Sequence, residues 1–189
     1  MEILYNNFEY LDKLLNIQKN YSTFYGWGAF GAYADYGNNR TRYKAKAAPA
    51  GSFLFDCGGF AYKAIPWGWN GSATRYGGAI YKKIPELETN NILKICGDVS
   101  TDFTKIEVSE ILYMPGHVGI YAGNGDVLEC TTAGKGGVII STLAMAKLLH
   151  GSAWTKHGKL PFIDYKNMYS ECCKHKRDSG MCPGCTINI

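Results

Sequence analysis

Four short segments rich in β-branched and apolar residues follow one another between residues 111 and 141, and they predict an antiparallel meander. Asn124-Gly125 separates the second segment from the third, and this dipeptide is typical of a two-residue hairpin turn. Helical spacing is confined largely to the first part of the chain, so helices come first and the sheet follows. This order predicts an α+β fold with an antiparallel sheet of about five strands and argues against an alternating α/β arrangement. The predicted strands are 111–114, 117–122, 127–131 and 138–141, with 160–163 as a closing edge strand.

The other predicted elements are fewer. Residues 7–19 read as a helix with a partial apolar stripe, capped by Asn6 or Asn7. Residues 22–51 are rich in Gly, Ala and Tyr and predict ordered loop with little regular structure. Residues 66–108 are the least defined part, where glycines suggest loops around Trp67 and Trp69 and a short helix is predicted near 91–95. A last helix is predicted over 142–149.

A cysteine stands at the predicted first turn of a helix in the stretch Asp56-Cys57-Gly58-Gly59. Apolar residues recur at helical spacing behind it until Pro66 stops the run. A thiol at a helix N-terminus faces the positive end of the helix dipole and unpaired backbone N–H groups, both of which favour the thiolate. Cys57 is therefore the candidate nucleophile.

The candidate base is His117, which opens the second predicted strand. A cysteine on a helix tip and a histidine on a distant strand are the usual components of cysteine-nucleophile catalysis, which points to hydrolysis of an amide or related acyl bond. Glu129 lies among apolar residues in the next strand of the hairpin, where a buried carboxylate needs a partner. Alternation around the turn predicts that Glu129 hydrogen-bonds His117 as the third member of a triad.

Composition narrows the class of protein. Of 189 residues, 46% are hydrophobic and 19% charged, which excludes a largely disordered chain. The formal net charge of +4 suits approach to an anionic polymer but is too small and scattered to indicate nucleic-acid binding. The first residues carry no signal-peptide pattern and no segment is apolar enough to span a membrane. We therefore expect a monomer that is synthesised in a cytoplasm.

The tail differs from the rest. We predict a hydrolase domain over 1–168 and a cysteine-rich tail over 169–189. The tail contains a C-x-x-C pair whose spacing is compatible with half of a zinc site, so a structural zinc is one interpretation. A reducible disulfide and free thiols are the other two. The zinc ligands would be Cys172, His175, Cys182 and Cys185. Catalysis by Cys57 requires no cofactor and no metal in the active site.

Several blocks together resemble the NlpC-type cell-wall cysteine peptidases, over roughly residues 20–165. They are Tyr25-Gly26-Trp27-Gly28, Asp56-Cys57-Gly58-Gly59-Phe60, Gly116-His117-Val118-Gly119-Ile120-Tyr121 and Val127-Leu128-Glu129-Cys130-Thr131, with Trp154, His157-Gly158 and Pro161 similar to the end of phage and clostridial members. The resemblance implies a papain-like core. It also implies cleavage of peptidoglycan stem peptides, at the D-glutamyl-to-diamino-acid bond or at the muramoyl-alanine amide.

Carried over residue by residue, the resemblance gives Cys57 as nucleophile, His117 as general base and Glu129 as the second polar residue. Glutamate at that last position is more like the related CHAP amidases. Tyr25 matches a tyrosine beside the nucleophile, and Asp56 matches a residue that binds a terminal amine in some members. The family commonly has serine where this chain has Gly58, which favours a substrate of intact wall. The substrate-binding candidates are Tyr25, Trp27, Asp56, Gly58, Gly116 and Trp154.

Alternative interpretations stay open. The chain could be a wall-binding module that keeps the fold without catalysis, or an acyltransferase or hydrolase of other substrates on the same core. The absence of a leader favours a phage endolysin or tail-associated lysin over a secreted autolysin. The four tryptophans are interpreted as residues of the core or of the wall of a substrate groove. His150 and His157 are interpreted as surface or packing residues.

Overall fold

A six-stranded antiparallel sheet is the largest element among the residues that this computed structural model describes, which are 1–80, 83–134 and 136–165. The strands in chain order are Tyr5–Asn6 (β1), Thr23–Tyr25 (β2), Phe30–Tyr33 (β3), Phe53–Phe55 (β4), Gly97–Ser100 (β5), Ile111–Met114 (β6), His117–Gly123 (β7), Asp126–Thr131 (β8), Gly137–Thr142 (β9), Lys156–Lys159 (β10) and Ile163–Asp164 (β11). The α-helices are Asn7–Asn20 (α1), Asn39–Arg42 (α2), Thr89–Ile92 (α3) and Ala146–His150 (α4). The predicted α+β class is confirmed.

Helix α1 begins as the sequence predicts. The Asn6 side chain accepts from the Glu9 backbone N–H at 2.9 Å, and the Glu9 side chain accepts from the Asn6 N–H at the same distance. This reciprocal capping satisfies two backbone donors that the first turn leaves without helical partners. The helix buries one face, including Tyr10, Leu14 and Ile17, against the main core.

The large sheet follows the order β5-β10-β6-β7-β8-β9, and β6 to β9 form the predicted meander. The Asn124-Gly125 turn has both residues at positive φ (53° and 87°), which is the conformation that two-residue hairpins favour. The predicted closing strand over 160–163 is wrong. The strand next to β6 is β10, a few residues earlier, and β5 forms the edge outside it. Pro161 has no N–H to donate to a ladder, and Ile163 lies in β11, which pairs with β1.

The prediction of loop over 22–51 is also wrong. Strands β2 and β3 lie in that segment and flank β4, which pairs parallel with β2 and antiparallel with β3. Each of these strands has only three or four residues, so their stability comes from pairing with distant segments rather than from a local pattern. The central strand of this small sheet, β4, leads directly into the helix that begins at Cys57.

The main core lies between α1, the helix of residues 57–63 and one face of the large sheet. Alternation along β7 and β8 turns Val118, Ile120 and Leu128 toward that core, and places a smaller cluster with Leu112, Val127 and Trp154 on the other face. Among the described residues, none of the helices has the length and apolar character needed to cross a bilayer.

Candidate active site

Cys57 is the first residue of the helix of residues 57–63, which continues as a π-helix over Gly59–Lys63. Asp56 fixes this start, because one of its carboxylate oxygens accepts from the Gly28 N–H at 2.9 Å and the other accepts from the Gly59 N–H. Burial raises the pKa of Asp56 above its usual value, although these two hydrogen bonds oppose the shift. Both carboxylate oxygens of Asp56 thus accept hydrogen bonds from backbone N–H groups, and Asp56 caps the start of the helix.

His117 lies at the start of β7, where the Cys57 side chain is close enough to raise the pKa of the imidazole. Its Nε2 lies 2.6 Å from Glu129 Oε2, which leaves Nδ1 as the nitrogen available to the thiol. The register of β7 and β8 explains the contact with Glu129. Past a β-bulge near the turn, Ile120 is opposite Leu128, and continuing this register makes His117 the diagonal neighbour of Glu129 on the same face.

The electrostatics of this group favour a charged histidine. Burial disfavours the imidazolium, but hydrogen bonds and charge attraction from Cys57 and Glu129 outweigh it and raise the pKa of His117 to about 9. Burial likewise works against the Glu129 carboxylate, yet hydrogen bonds from His117 and Ser141 keep the pKa of Glu129 below its usual value. An ionised Glu129 with no solvent exposure is therefore stabilised by its partners.

Two partners of Glu129 were not identified from the sequence. His150, at the end of α4, has its Nε2 2.7 Å from Glu129 Oε2, and the Ser141 hydroxyl donates to Glu129 Oε1. Of the two interpretations of His150, surface or packing residue, the surface one is excluded, because only 12% of its side chain is exposed and it shares the carboxylate with His117. Alternation in β9 could have indicated Ser141. No local pattern indicates His150, because α4 reaches β7 only in the tertiary structure.

Trp154 packs against the His117–His150 pair. Its ring stacks on His117 with centroids 5.5 Å apart, while the rings of His117 and His150 are 4.3 Å apart. Gly119 makes room for this arrangement, because a Cβ there would lie 3.2 Å from the Trp154 ring and 3.4 Å from Glu129 Cβ. Trp154 is thus a packing partner of His117, with only 7% of its surface exposed.

The short helix α3 contacts both sides of the Cys57–His117 pair. Thr89 Oγ1 lies 3.6 Å from Cys57 Sγ. The neighbouring Asn90 Oδ1 accepts from the Gly116 N–H at 3.0 Å and from the Tyr113 hydroxyl at 3.2 Å, which holds the turn before His117. Both residues lie in the segment that the sequence leaves least defined.

A cleft of about 410 Å³ opens beside His117, and its lining includes Tyr25, Gly116, Thr131 and His150. Burial and the nearby Cys57 and Asp56 raise the pKa of Tyr25, so its hydroxyl stays protonated and available to donate. The remaining substrate-binding candidates lie apart from this cleft lining. Trp27 is 67% exposed with the Lys44 ammonium 6.0 Å from its ring, and Gly58 faces Thr89.

Access to the sulfur is narrow. Cys57 itself is only 4% exposed and does not line the cleft, whereas His117 and Tyr25 do. Among the described residues, the donor atoms of His117, Glu129 and His150 all lie within 4.8 Å of one another and could hold a metal ion. The predicted zinc ligands Cys172, His175, Cys182 and Cys185 lie outside the described residues.

No protein-family model matches the chain, and no curated protein matches it. Solved structures with a similar fold include the peptidoglycan hydrolase RipB from Mycobacterium tuberculosis, with a TM-score of 0.48 and 18% identity over 85% of this chain and 68% of RipB. NlpC1 from Trichomonas vaginalis has a TM-score of 0.46 and 13% identity over 80% of this chain, which spans 44% of that protein. The P60 domain of an antigen from M. avium paratuberculosis has a TM-score of 0.44 and 12% identity, over 81% of this chain and 94% of the domain.

Proposed function

We propose that this protein is a cysteine hydrolase of bacterial peptidoglycan, with Cys57 as nucleophile, His117 as general base and Glu129 as the residue that orients His117. One observation carries the proposal: Cys57, at the start of a helix, interacts with the His117 imidazole, and His117 is in turn held 2.6 Å from a buried carboxylate. A nucleophile within reach of a base, with the base oriented by a third group, is the arrangement that covalent acyl transfer requires.

The chemistry follows from this arrangement. His117 takes the proton of the Cys57 thiol, and the thiolate sulfur attacks the carbonyl carbon of an amide. The oxyanion that forms can accept hydrogen bonds from the Cys57 backbone N–H and from the Tyr25 hydroxyl. The imidazolium then gives its proton to the departing amine, which leaves a thioester on Cys57. Water, with His117 again as base, releases the acid product and restores the thiol.

The substrate class rests on the sequence blocks around Tyr25, Cys57, His117 and Glu129, which resemble the NlpC-type cell-wall peptidases. The cleft fits a polar ligand, since Tyr25, Thr131 and His150 contribute polar groups to its lining. The bond cut is then a stem-peptide amide, either D-glutamyl to diamino acid or muramoyl to alanine.

Digestion of purified cell walls tests the proposal. We expect soluble muropeptides, and mass spectrometry of their new termini will show which of the two amides is cut. Iodoacetamide should block the reaction by alkylating Cys57, as a peptide map of the labelled protein would show. Wall that stays intact in the presence of folded, reduced protein would contradict a hydrolase and favour the wall-binding alternative.

The pH dependence gives a second test. Because the His117 imidazolium protonates the leaving amine, kcat/KM should fall as pH rises through about 9, the pKa of His117. Glu129→Gln removes one group that raises this pKa, so the descending limb should move to lower pH by about one unit. Glu107→Gln, a partly exposed site, removes the same formal charge and should leave the limb in place. Coincident limbs for the two variants would contradict the role of Glu129.

A further inference from the structure

Two histidines and one carboxylate converge on a single point beside the cleft. His117 Nε2 and His150 Nε2 lie 2.6 and 2.7 Å from the same Glu129 oxygen, Oε2, and all three donor atoms lie within 4.8 Å of one another. The proposed hydrolysis uses His117 and Glu129 but gives His150 no task. A second histidine on one buried carboxylate therefore needs its own explanation.

We propose that His117, Glu129 and His150 form a binding site for a divalent transition-metal ion such as Zn²⁺, and that the bound ion switches off the Cys57–His117 pair. The binding depends only on the three side chains, whereas the inhibition rests on the proposed function. Catalysis itself still needs no metal. The ion that we propose here is an inhibitor and takes no part in the reaction.

The donor set fits zinc. Two imidazole nitrogens and one carboxylate oxygen, with a fourth position open, are a ligand set that zinc takes in proteins, with bonds of about 2.0–2.2 Å. The two histidine–carboxylate separations, 2.6 and 2.7 Å, are those of hydrogen bonds, and tetrahedral coordination would lengthen each to roughly 3.3 Å. Ca²⁺ and Mg²⁺, which prefer oxygen ligands, should bind weakly.

The surroundings hold the donors in place. Ser141 donates to the other oxygen of Glu129, and Trp154 stacks on His117. Such outer contacts orient metal ligands and raise affinity. The carboxylate has no solvent exposure, while each histidine side chain is 12% exposed and lines the cleft, which gives the ion a path from solvent.

Inhibition follows from the two nitrogens of one ring. When an ion occupies His117 Nε2, the ring keeps its single proton on Nδ1, the nitrogen that faces Cys57. That nitrogen can then no longer accept the thiol proton, and Glu129 is bound to the ion rather than to the histidine. Hydrolysis should therefore stop while the ion is bound and resume when a chelator removes it.

Calorimetric titration of Zn²⁺ into metal-free protein tests the site. The parent is the full chain with its tail donors replaced, which excludes zinc bound there; its substitutions are Cys172→Ser, Cys173→Ser, Cys182→Ser, Cys185→Ser and His175→Gln. We expect one Zn²⁺ per chain, and His150→Gln should weaken binding by about 100-fold or more, since it removes a direct ligand. Cys57→Ala should bind as the parent does. Absence of binding, equal affinity in His150→Gln, or loss of binding in Cys57→Ala would overturn the proposal.

X-ray absorption at the zinc edge gives a readout that needs no change in the cluster. The parent should show imidazole and oxygen scatterers at about 2.0–2.2 Å, and a sulfur at about 2.3 Å would place the ion on the thiolate instead. Neither measurement depends on hydrolysis, so a protein that fails to digest walls can still bind zinc. If walls are digested, His150→Gln should need at least about tenfold more Zn²⁺ than the parent for half inhibition, each relative to its own metal-free rate.

Discussion

Cys57→Ala is expected to lower the rate of wall digestion by about 10⁴-fold or more, because the variant has no atom that can form the thioester. The fold should survive, since alanine fills most of the space of a residue that lies at the edge of the main core. The rate of release of soluble muropeptides from purified walls measures the effect. Circular dichroism and thermal unfolding show that the variant is folded.

Cys96 supplies the matched control. It is a free, partly buried cysteine whose thiol donates to the Ile92 carbonyl at 3.4 Å, and it has no contact with the catalytic group. Cys96→Ala should therefore digest walls at nearly the parent rate. A Cys57→Ala protein as active as Cys96→Ala would exclude Cys57 as nucleophile.

Gly59→Ala should cause the largest loss of stability among the glycines of the active-site helix. A Cβ at residue 59 would lie 1.9 Å from the Ala29 carbonyl oxygen and 2.8 Å from Asp56 Oδ1. Ala29 is fully buried and its carbonyl already accepts from the Asp56 N–H at 2.8 Å, so neither backbone can yield easily. We expect the free energy of unfolding to fall by about 3 kcal/mol or more.

The adjacent Gly58 is the control. A Cβ there would meet Thr89 Oγ1 at 3.3 Å and Ile92 at 3.7 Å, contacts that a small shift of the Thr89 side chain relieves. Gly58→Ala should therefore change the free energy of unfolding by less than about 1 kcal/mol, and the helix gains from the loss of a glycine. Denaturant unfolding of the two variants measures the difference. Equal stability would contradict the close approach of the helix to the loop at Ala29.

The sequence predicted the hairpin side of the site because a two-residue turn at Asn124-Gly125 is a local signal. The turn pairs Gly123 with Asp126, and a β-bulge then shifts the register so that Tyr121 pairs with Val127. This shift, which the sequence did not indicate, is what places His117 and Glu129 on one face. Cys57 was found for a similar reason, since the end of its helical run is marked by Pro66.

The rest of the site depends on contacts between distant segments. His150 reaches Glu129 only because α4 folds back over the large sheet, and the spacing of residues within α4 carries no trace of that contact. Thr89 and Asn90 belong to a four-residue helix whose position is set by what it touches. Strands β2 to β4 are too short for a period-two pattern to distinguish them from loop.

The contacts of Thr89 and Asn90 have a consequence for redesign of this protein. Cys57 is carried by the segment after the small sheet and His117 by the large one, and these two adjacent side chains bridge the gap between them. They add a direct link to the core packing that already joins the helix of residues 57–63 to the large sheet. A chimera in which the loop-rich middle of the chain is exchanged would retain the nucleophile and the base. It would lose the contacts that Thr89 and Asn90 make beside them, unless these two residues were kept.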